Sequence, residues 1–528
     1  MFERSRWHVW LLVSVFAMTV FVPQNSFLSA AGDVWPRLES RHFLILDEPT
    51  SQPAVMAMHD WDIALTQYVE QLDAKLAPLF SNGTLSQTQT TLGQKPILLI
   101  CADQASYLKT LAQYGIPSSD AAMAHSGGFY HPASGILFVR RQPTDYYSRH
   151  VVLHEVAHWY CLQLLGARYE KMPLWLCEGL ADFAAAHTWN GQNLRAMQGP
   201  RVSLENYPAR LDALLKRLMT ETHSNGLQNR QSPDDQLPDD NITAKADDAL
   251  TPENIARCFV QLRSGANANA NTLAYDEYAL AWGLTAFLIG EYPGEMSELF
   301  DSLSQYDVAK SWQLAFSASQ NVPTWPRFAD WVAGQQLPWQ WVWNHWEDDG
   351  QHLIGLSDST ALIAQNPAYL SPAVNKKSAD AIAASNISGD VLFDCTVEPL
   401  LEGTVIGLVL HYENSGHFDM LQFRNVGQAN AAWRQVRFAQ KKWEPLSSWQ
   451  KIAKTTDDKA PEQEKSVRLH GRTSTTNASV IRIFYGDHLI IEQDDERNTN
   501  ADNPNNTERR SPFALAVQSG AARFLVCP

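Results

Sequence analysis

From Leu153 to Phe183 the chain reads LHEVAHWYCLQLLGARYEKMPLWLCEGLADF, and five of its polar residues have the types and spacing of a metal-assisted hydrolytic site. His154 and His158 stand four apart in an apolar-periodic stretch, so a helix puts both imidazoles on one face, within reach of one ion. Glu155 faces the same cleft and is placed to take a proton from an attacking water. A loop containing Gly166 and Pro173 ends that helix, and a second apolar helix starts near Leu174. It carries Glu178, 20 positions after His158, and Asp182 one turn further. Glu178 completes a three-ligand set that leaves a fourth position open. Asp182 is predicted to accept the free N–H of a ligand histidine, His154, which fixes the ring tautomer. Five polar identities in register inside apolar helices argue against an ordinary helical hairpin.

Elements on either side must position these groups. Residues 42–47 (HFLILD) and 96–101 (PILLIC) read as buried strands, with an amphipathic helix over 61–79 between them. Asp103 is an N-cap type and opens a further helix. Gly127–Tyr130 and Ile136–Val139 read as two strands around a His-Pro-Ala-Ser-Gly turn, leading into a long helix from about Tyr147. Gly128, Phe129 and Tyr130 are predicted to form the edge strand along which a substrate peptide lies extended, held by backbone pairing; an ordinary sheet strand is the competing reading. Helical patterns resume at 252–263, 275–289 and around 328–346. Seven tryptophans, at 312, 325, 331, 339, 341, 343 and 346, fall within 35 residues, where core packing outweighs a sugar-stacking platform. From about 375 short β-rich runs such as TVIGLVLHY, VIRIFYG and ARFLVC recur between polar loops, the mark of a sandwich or jelly roll.

The chain has 528 residues, too many for one core, and 45% hydrophobic with 19% charged residues is ordinary globular composition. Its net charge of −16 (41 basic against 57 acidic residues) excludes nucleic acid as a partner on electrostatic grounds. Arg4 and Arg6, the apolar run Leu11–Val22 and the small residues Ser29-Ala30-Ala31 make residues 1–31 a secretory signal, with an uncleaved N-terminal anchor as the alternative. No later stretch is long and apolar enough to span a bilayer. The protein is therefore expected to be exported: periplasmic, cell-surface or extracellular. Six cysteines are too few for a disulfide scaffold, leaving one bridge, Cys395–Cys527, or buried thiols.

The motif set resembles the gluzincins, the thermolysin-like metallopeptidases, whose pattern is HExxH, a third-ligand Glu on the following helix, and ExxxD. Pro173–Phe183 (PLWLCEGLADF) looks like the "WLxEGLA" version typical of bacterial secreted peptidases of this clan. The resemblance covers about residues 38–345 and is specific only within 127–183. It implies an α+β zincin fold, with an α+β lobe over 38–145 and active-site helices with a helical lobe over 146–345. It also implies a Zn²⁺ cofactor held by His154, His158 and Glu178, with Glu155 as general base, Asp182 behind the ligands and a peptide or protein substrate. Gluzincins supply an oxyanion donor from the helical lobe. Here the family resemblance points to Tyr278, with Tyr275 one turn earlier as runner-up. Residues 375–528 resemble concanavalin-like jelly rolls, which implies an attachment module and a glycan partner. The alternative is an inert zincin scaffold carrying a glycan-binding or adhesive sandwich.

Overall fold

The computed structural model describes residues 35–49, 56–80, 95–116, 127–142, 145–199, 202–203, 211, 214–215, 249–264, 275–317, 322–335, 339–343, 345–348, 352–357, 361–365, 391–452, 467–473, 480–494 and 514–526, apart from one or two positions inside some spans. The secretory segment, Cys527 and most of three polar stretches read from the sequence as exposed loops, about 222–248, 454–465 and 494–511, lie outside the described residues. The chain is mixed α and β with several sheets. It divides into two compact units, residues 1–198 with 211–331, and residues 199–210 with 332–528. Among the described residues no helix is long and apolar enough to cross a membrane.

The first unit is built on a five-stranded sheet of β1 (Arg37–Glu39), β2 (Leu44–Asp47), β3 (Ile97–Cys101), β4 (Gly128–His131) and β5 (Ile136–Arg140), in the order β1-β2-β3-β5-β4. β2, β3 and β5 run parallel, and β2 and β3 are buried throughout, as strands covered on both faces must be. β4 is antiparallel to β5 and forms one edge. Helix α1 (Met58–Lys75) buries Trp61, Leu65, Tyr68, Val69 and Leu72 at helical spacing. Helix α2 (Gln104–Gln113) starts where the Asp103 carboxylate accepts the Ser106 N–H at 2.8 Å.

Helix α3 (Asp145–Leu165) carries the HExxH run and buries twelve of its 21 residues. A 3₁₀ turn, Gly166–Lys171, leads through Pro173 to α4 (Leu174–Ala185), followed by a hairpin of β6 (His187–Trp189) and β7 (Leu194–Ala196). The helical part comprises α5 (Pro252–Ser264), α6 (Tyr275–Glu291), α7 (Pro293–Ser302), α8 (Val308–Ser317) and α9 (Trp325–Gly334). Helices α4 and α6 meet at Gly179. A Cβ there would lie 2.3 Å from the Ala281 carbonyl oxygen, so only glycine lets the two backbones approach this closely.

The second unit contains β8 (Val202–Ser203), β9 (Trp339–Trp343), β10 (His345–Asp348), β11 (Leu353–Ser357), β12 (Ala361–Gln365), β13 (Val391–Pro399), β14 (Val405–Asn414) and β15 (His417–Arg424). It continues with β16 (Ala432–Ala439), β17 (Lys442–Pro445), β18 (Gln450–Lys451), β19 (Val467–Thr473), β20 (Val480–Tyr485), β21 (His488–Asp494) and β22 (Ala514–Val526). The 13-residue β22 pairs with β12 and β14 along its first half and with β11 and β13 along its second. Apolar residues from both sets of strands, including Ile406, Leu421, Phe423, Val397, Leu469, Ile483 and Phe524, share one core.

Helical periodicity predicted around 328–346 holds only to Gly334; Trp339–Trp343 and His345–Asp348 are strands. The run WQWVW is rich in strand-forming residues and pairs with β12, so sheet pairing overrides the helical count. Trp312 packs against Phe316, and Trp331 against Trp282, Phe287 and Phe328 in the first unit, whereas Trp346 is 2% exposed in the core of the second. Trp325 also meets Phe328. These four are packing residues.

Candidate metal centre

The Nε2 atoms of His154 and His158 lie 2.9 Å apart. One Glu178 carboxylate oxygen is 3.3 Å from the first and 3.7 Å from the second. Three ligands at about 2.0–2.1 Å from a tetrahedral ion stand about 3.3–3.4 Å apart, a spacing that these three distances bracket, so the group could hold a metal ion. The chemistry of the donors agrees. His154 Nδ1 is 2.8 Å from Asp182 Oδ1, and His158 Nδ1 meets the Tyr169 hydroxyl. With each Nδ1–H donating outward, neutral rings would turn both Nε2 lone pairs toward the carboxylate, three acceptors facing one point that a cation, or without one a proton on His154, can neutralise.

Electrostatics bind the cluster together. Burial alone would lower the basicity of His154, but Asp182 and Glu178 outweigh it and hold the ring well above its ordinary value. Burial would likewise raise both carboxylates, yet His158 and His154 hold Glu178 well below the usual range, and His154 with His150 hold Asp182 at about 2. Glu155 behaves oppositely. Burial pushes it up against the pull of His154 and His158, the direction that suits a group handling protons near neutrality.

Glu155 is held by the strand predicted to line the cleft. Its Oε2 accepts the Tyr130 N–H at 2.8 Å. A Cβ on Gly128 would meet Glu155 Cγ at 2.8 Å and Val151 Cγ1 at 2.8 Å, so glycine is what allows β4 to press onto α3 here. The Arg140 N–H donates to the Gly127 carbonyl, so by antiparallel alternation the backbones of Gly128 and Tyr130 face away from β5. The Tyr130 N–H is thus already engaged by Glu155, leaving the Gly128 groups and the Tyr130 carbonyl at the edge. Phe129 packs its side chain on the sheet core instead, and the Tyr130 phenol is buried, pushed to about 12 by burial and hydrogen-bonded to Gln163.

Tyr278, on the first turn of α6, hydrogen-bonds the Glu178 carboxylate, whose charge together with burial keeps its hydroxyl protonated. The contact follows from Gly179: where α4 and α6 touch, Glu178 lies beside the residue one turn before Ala281. Tyr275 opens α6, but its side chain lies outside the described residues.

Two groups escaped the sequence reading. Tyr169 sits in the connecting 3₁₀ turn, where nothing in its spacing marks it. His150 lies one turn before His154, so 150, 154 and 158 form a four-residue series that the sequence does display. Its Nε2 is 3.4 Å from Asp182 Oδ1. His150, His154 and Asp182 form a second potential ligand group, but its His154 atom is the Nδ1 already bonded to Asp182. Convergent lone pairs favour the 154/158/178 set. Behind it His187 accepts from Arg149 Nε at 3.3 Å and donates to the Ala185 carbonyl at 2.9 Å; burial, and then the Arg149 charge, hold it well below its ordinary value against the pull of that carbonyl.

No protein-family model matches this chain, and no curated protein matches it. Several solved structures show local similarity. A carbohydrate-binding module, CBM66, from Bacillus subtilis is 13% identical, covering 35% of this chain and 91% of that one, with a TM-score of 0.23. A xylan β-1,4-xylosidase from Bacillus halodurans C-125 is 14% identical over 33% of this chain and 32% of its own, with a TM-score of 0.20. The GH43 protein BlXynB (a mutant) from Bacillus licheniformis is 14% identical over 36% of each chain, with a TM-score of 0.20. The chain thus spans about a third of the length of these two enzymes. Likeness of this degree assigns neither fold nor ligand to the present chain.

Proposed function

We propose that this chain is an exported zinc-dependent peptidase of gluzincin type, a zincin fold followed by a jelly-roll sandwich that attaches it to glycans. The observation that carries the reading is the convergence of His154, His158 and Glu178 beside a buried Glu155 on the sheet-edge side. Zinc, when bound, supplies a Lewis acid that polarises a carbonyl and makes water nucleophilic near neutral pH. Glu155, raised by burial and aimed by the Tyr130 N–H, takes the proton from the attacking water and passes it to the leaving amine. The outward groups of Gly128 and Tyr130 align the peptide as an added strand. Tyr278, protonated beside Glu178, donates to the developing oxyanion once it turns from that carboxylate. Asp182 and Tyr169 keep the histidine rings in the ligand tautomer.

The test is metal dependence. Exhaustive chelation should abolish hydrolysis of casein-derived peptides, and one equivalent of zinc should restore it. Hydrolysis that persists in the metal-free protein would sink this reading. Full metal binding with no turnover of any peptide would instead favour the inert scaffold.

A further inference from the structure

In the second unit three strand arginines each have a carboxylate. Arg437 meets Asp419 at 2.7 and 2.9 Å, Arg482 meets Glu492 at 2.9 Å, and Arg523 meets Glu398 at 3.1 Å. Arg424 and Arg434 differ. Both guanidiniums lie over the Trp449 ring, 4.3 and 4.6 Å from its centroid, and neither meets a carboxylate among the described residues. In a chain with 57 acidic and 41 basic residues, two arginines brought together with no counterion among the described residues are out of keeping with their surroundings. Like charges side by side cost free energy unless something offsets them.

The neighbouring groups extend this pair into a row across one face of the sheet. Gln422 on β15 is in register with Arg434 on β16, and its Oε1 accepts from Arg434 Nε at 2.6 Å. Arg424 is two residues from Gln422 on the same strand and so shares its face. On the other side Gln422 is opposite Gly407 of β14, which has no side chain to intervene, and the Gln422 Nε2–H donates to the side-chain Oε1 of Gln518 on β22. Gln422 is fully buried, so its amide is fixed and aims Arg434. Arg434 itself is weakened as a base, first by burial and then by Arg424. Arg424 is exposed, and Arg434, Trp449 and Gln518 are half-buried.

We propose that the row Arg424, Arg434, Trp449 and Gln518 is a binding site for an acidic saccharide, its carboxylate or sulfate taken by the two guanidiniums. Free Nη donors on adjacent arginines match the bidentate geometry of such anions. The Gln518 amide and the Trp449 indole lie beside them for ring hydroxyls and apolar ring faces. A net charge of −16 repels long polyanions, so the ligand is a short or sparsely charged sugar rather than nucleic acid. This rests on the reading of the β-rich unit as a glycan-binding module and is independent of the metal centre.

Titration calorimetry on the full chain tests it with a uronate trisaccharide, a sulfated disaccharide, their neutral counterparts and inorganic sulfate. At least one acidic sugar should bind about tenfold or more tighter than its neutral counterpart and than sulfate alone. Arg424→Gln and Arg434→Gln should each lose about tenfold or more of that affinity, the scale of one charge-assisted hydrogen bond. Arg437→Gln, which breaks an existing ion pair, should leave binding unchanged, and the melting temperature of Arg424→Gln should match wild type because that side chain is exposed. Equal affinity for neutral sugars overturns the acidic site while leaving the glycan-binding module standing. Equal affinity for inorganic sulfate, or unaltered binding by both arginine variants, also overturns it. Absence of binding to every saccharide removes the site and the module reading together.

Discussion

At the residue scale, the two histidines proposed as ligands differ in what stands behind them: a carboxylate for His154, a neutral phenol for His158. Removing such a partner typically costs about 10–100-fold in metal affinity. Asp182→Asn and Tyr169→Phe should both weaken zinc by that order in competition with a chelator, with Asp182→Asn the more severe; unchanged affinity in both would mean neither partner acts on the ligands. The metal-free protein should also show a pH signature. His154 is raised above 6.5, so its stabilisation is full below pH 6.5 and lost as pH rises through the folded value. Asp182 is lowered from 3.8 to about 2, so its share is full above 3.8 and lost as pH falls toward 2. Melting of the chelated protein should therefore peak between those limits, and Asp182→Asn should flatten the profile on both sides. A melting temperature that climbs steadily from pH 6 to 9 in chelator would contradict this. His154, Glu155, His158, Glu178 and Asp182 were legible in the sequence because helical spacing fixes which residues share a face. Tyr169 was not, since a connecting turn has no periodicity to reveal where its side chain goes.

At the element scale, the site depends on how closely α4 approaches α6. Gly179→Ala places a methyl group 2.3 Å from a backbone oxygen that cannot swing aside. Overpacking of this kind costs about 1–3 kcal/mol, and here it also separates Glu178 from Tyr278. Gly179→Ala should lower both the melting temperature and zinc affinity, whereas Gly290→Ala, with open space around its Cβ, should lower neither. Equal behaviour of the two variants would detach the helix contact from the site. Tyr278→Phe should retain zinc and fold while losing about 10²–10³ in turnover, if its hydroxyl serves the oxyanion. Strands β2 to β5 and helices α1 to α4 were readable from periodicity and caps. The tryptophan-rich segment was not: WQWVW is apolar at a density that suits either period, and its partner β12 is remote in sequence. The run ARFLVC is only the second half of β22; pairing on both sides carries the strand through Ser519-Gly520.

At the scale of the whole molecule, the position of the division decides which shortened chains can work. All groups of the metal centre lie before Trp331. The strands over 339–365 pair with one another, with β8 or with β22. A chain ending at Gln335 should keep zinc and hydrolysis of small peptides, whereas one ending near residue 360 leaves β9 without β12 and β11 without β22 and should aggregate. The sequence placed the second unit at about 375, too late, because strands 339–365 precede the regular β-rich series and are completed only by the last strand of the chain. The most direct measurement for the chain as a whole is a comparison of wild type with Glu155→Gln, reading zinc content and peptide hydrolysis on the same samples. Glu155 is adjacent to the ligands yet is not one of them, so the variant should hold one zinc per chain and lose hydrolysis by at least about 10²-fold, within the usual range for a general base. Hydrolysis at the wild-type rate in a zinc-loaded Glu155→Gln protein would contradict the account.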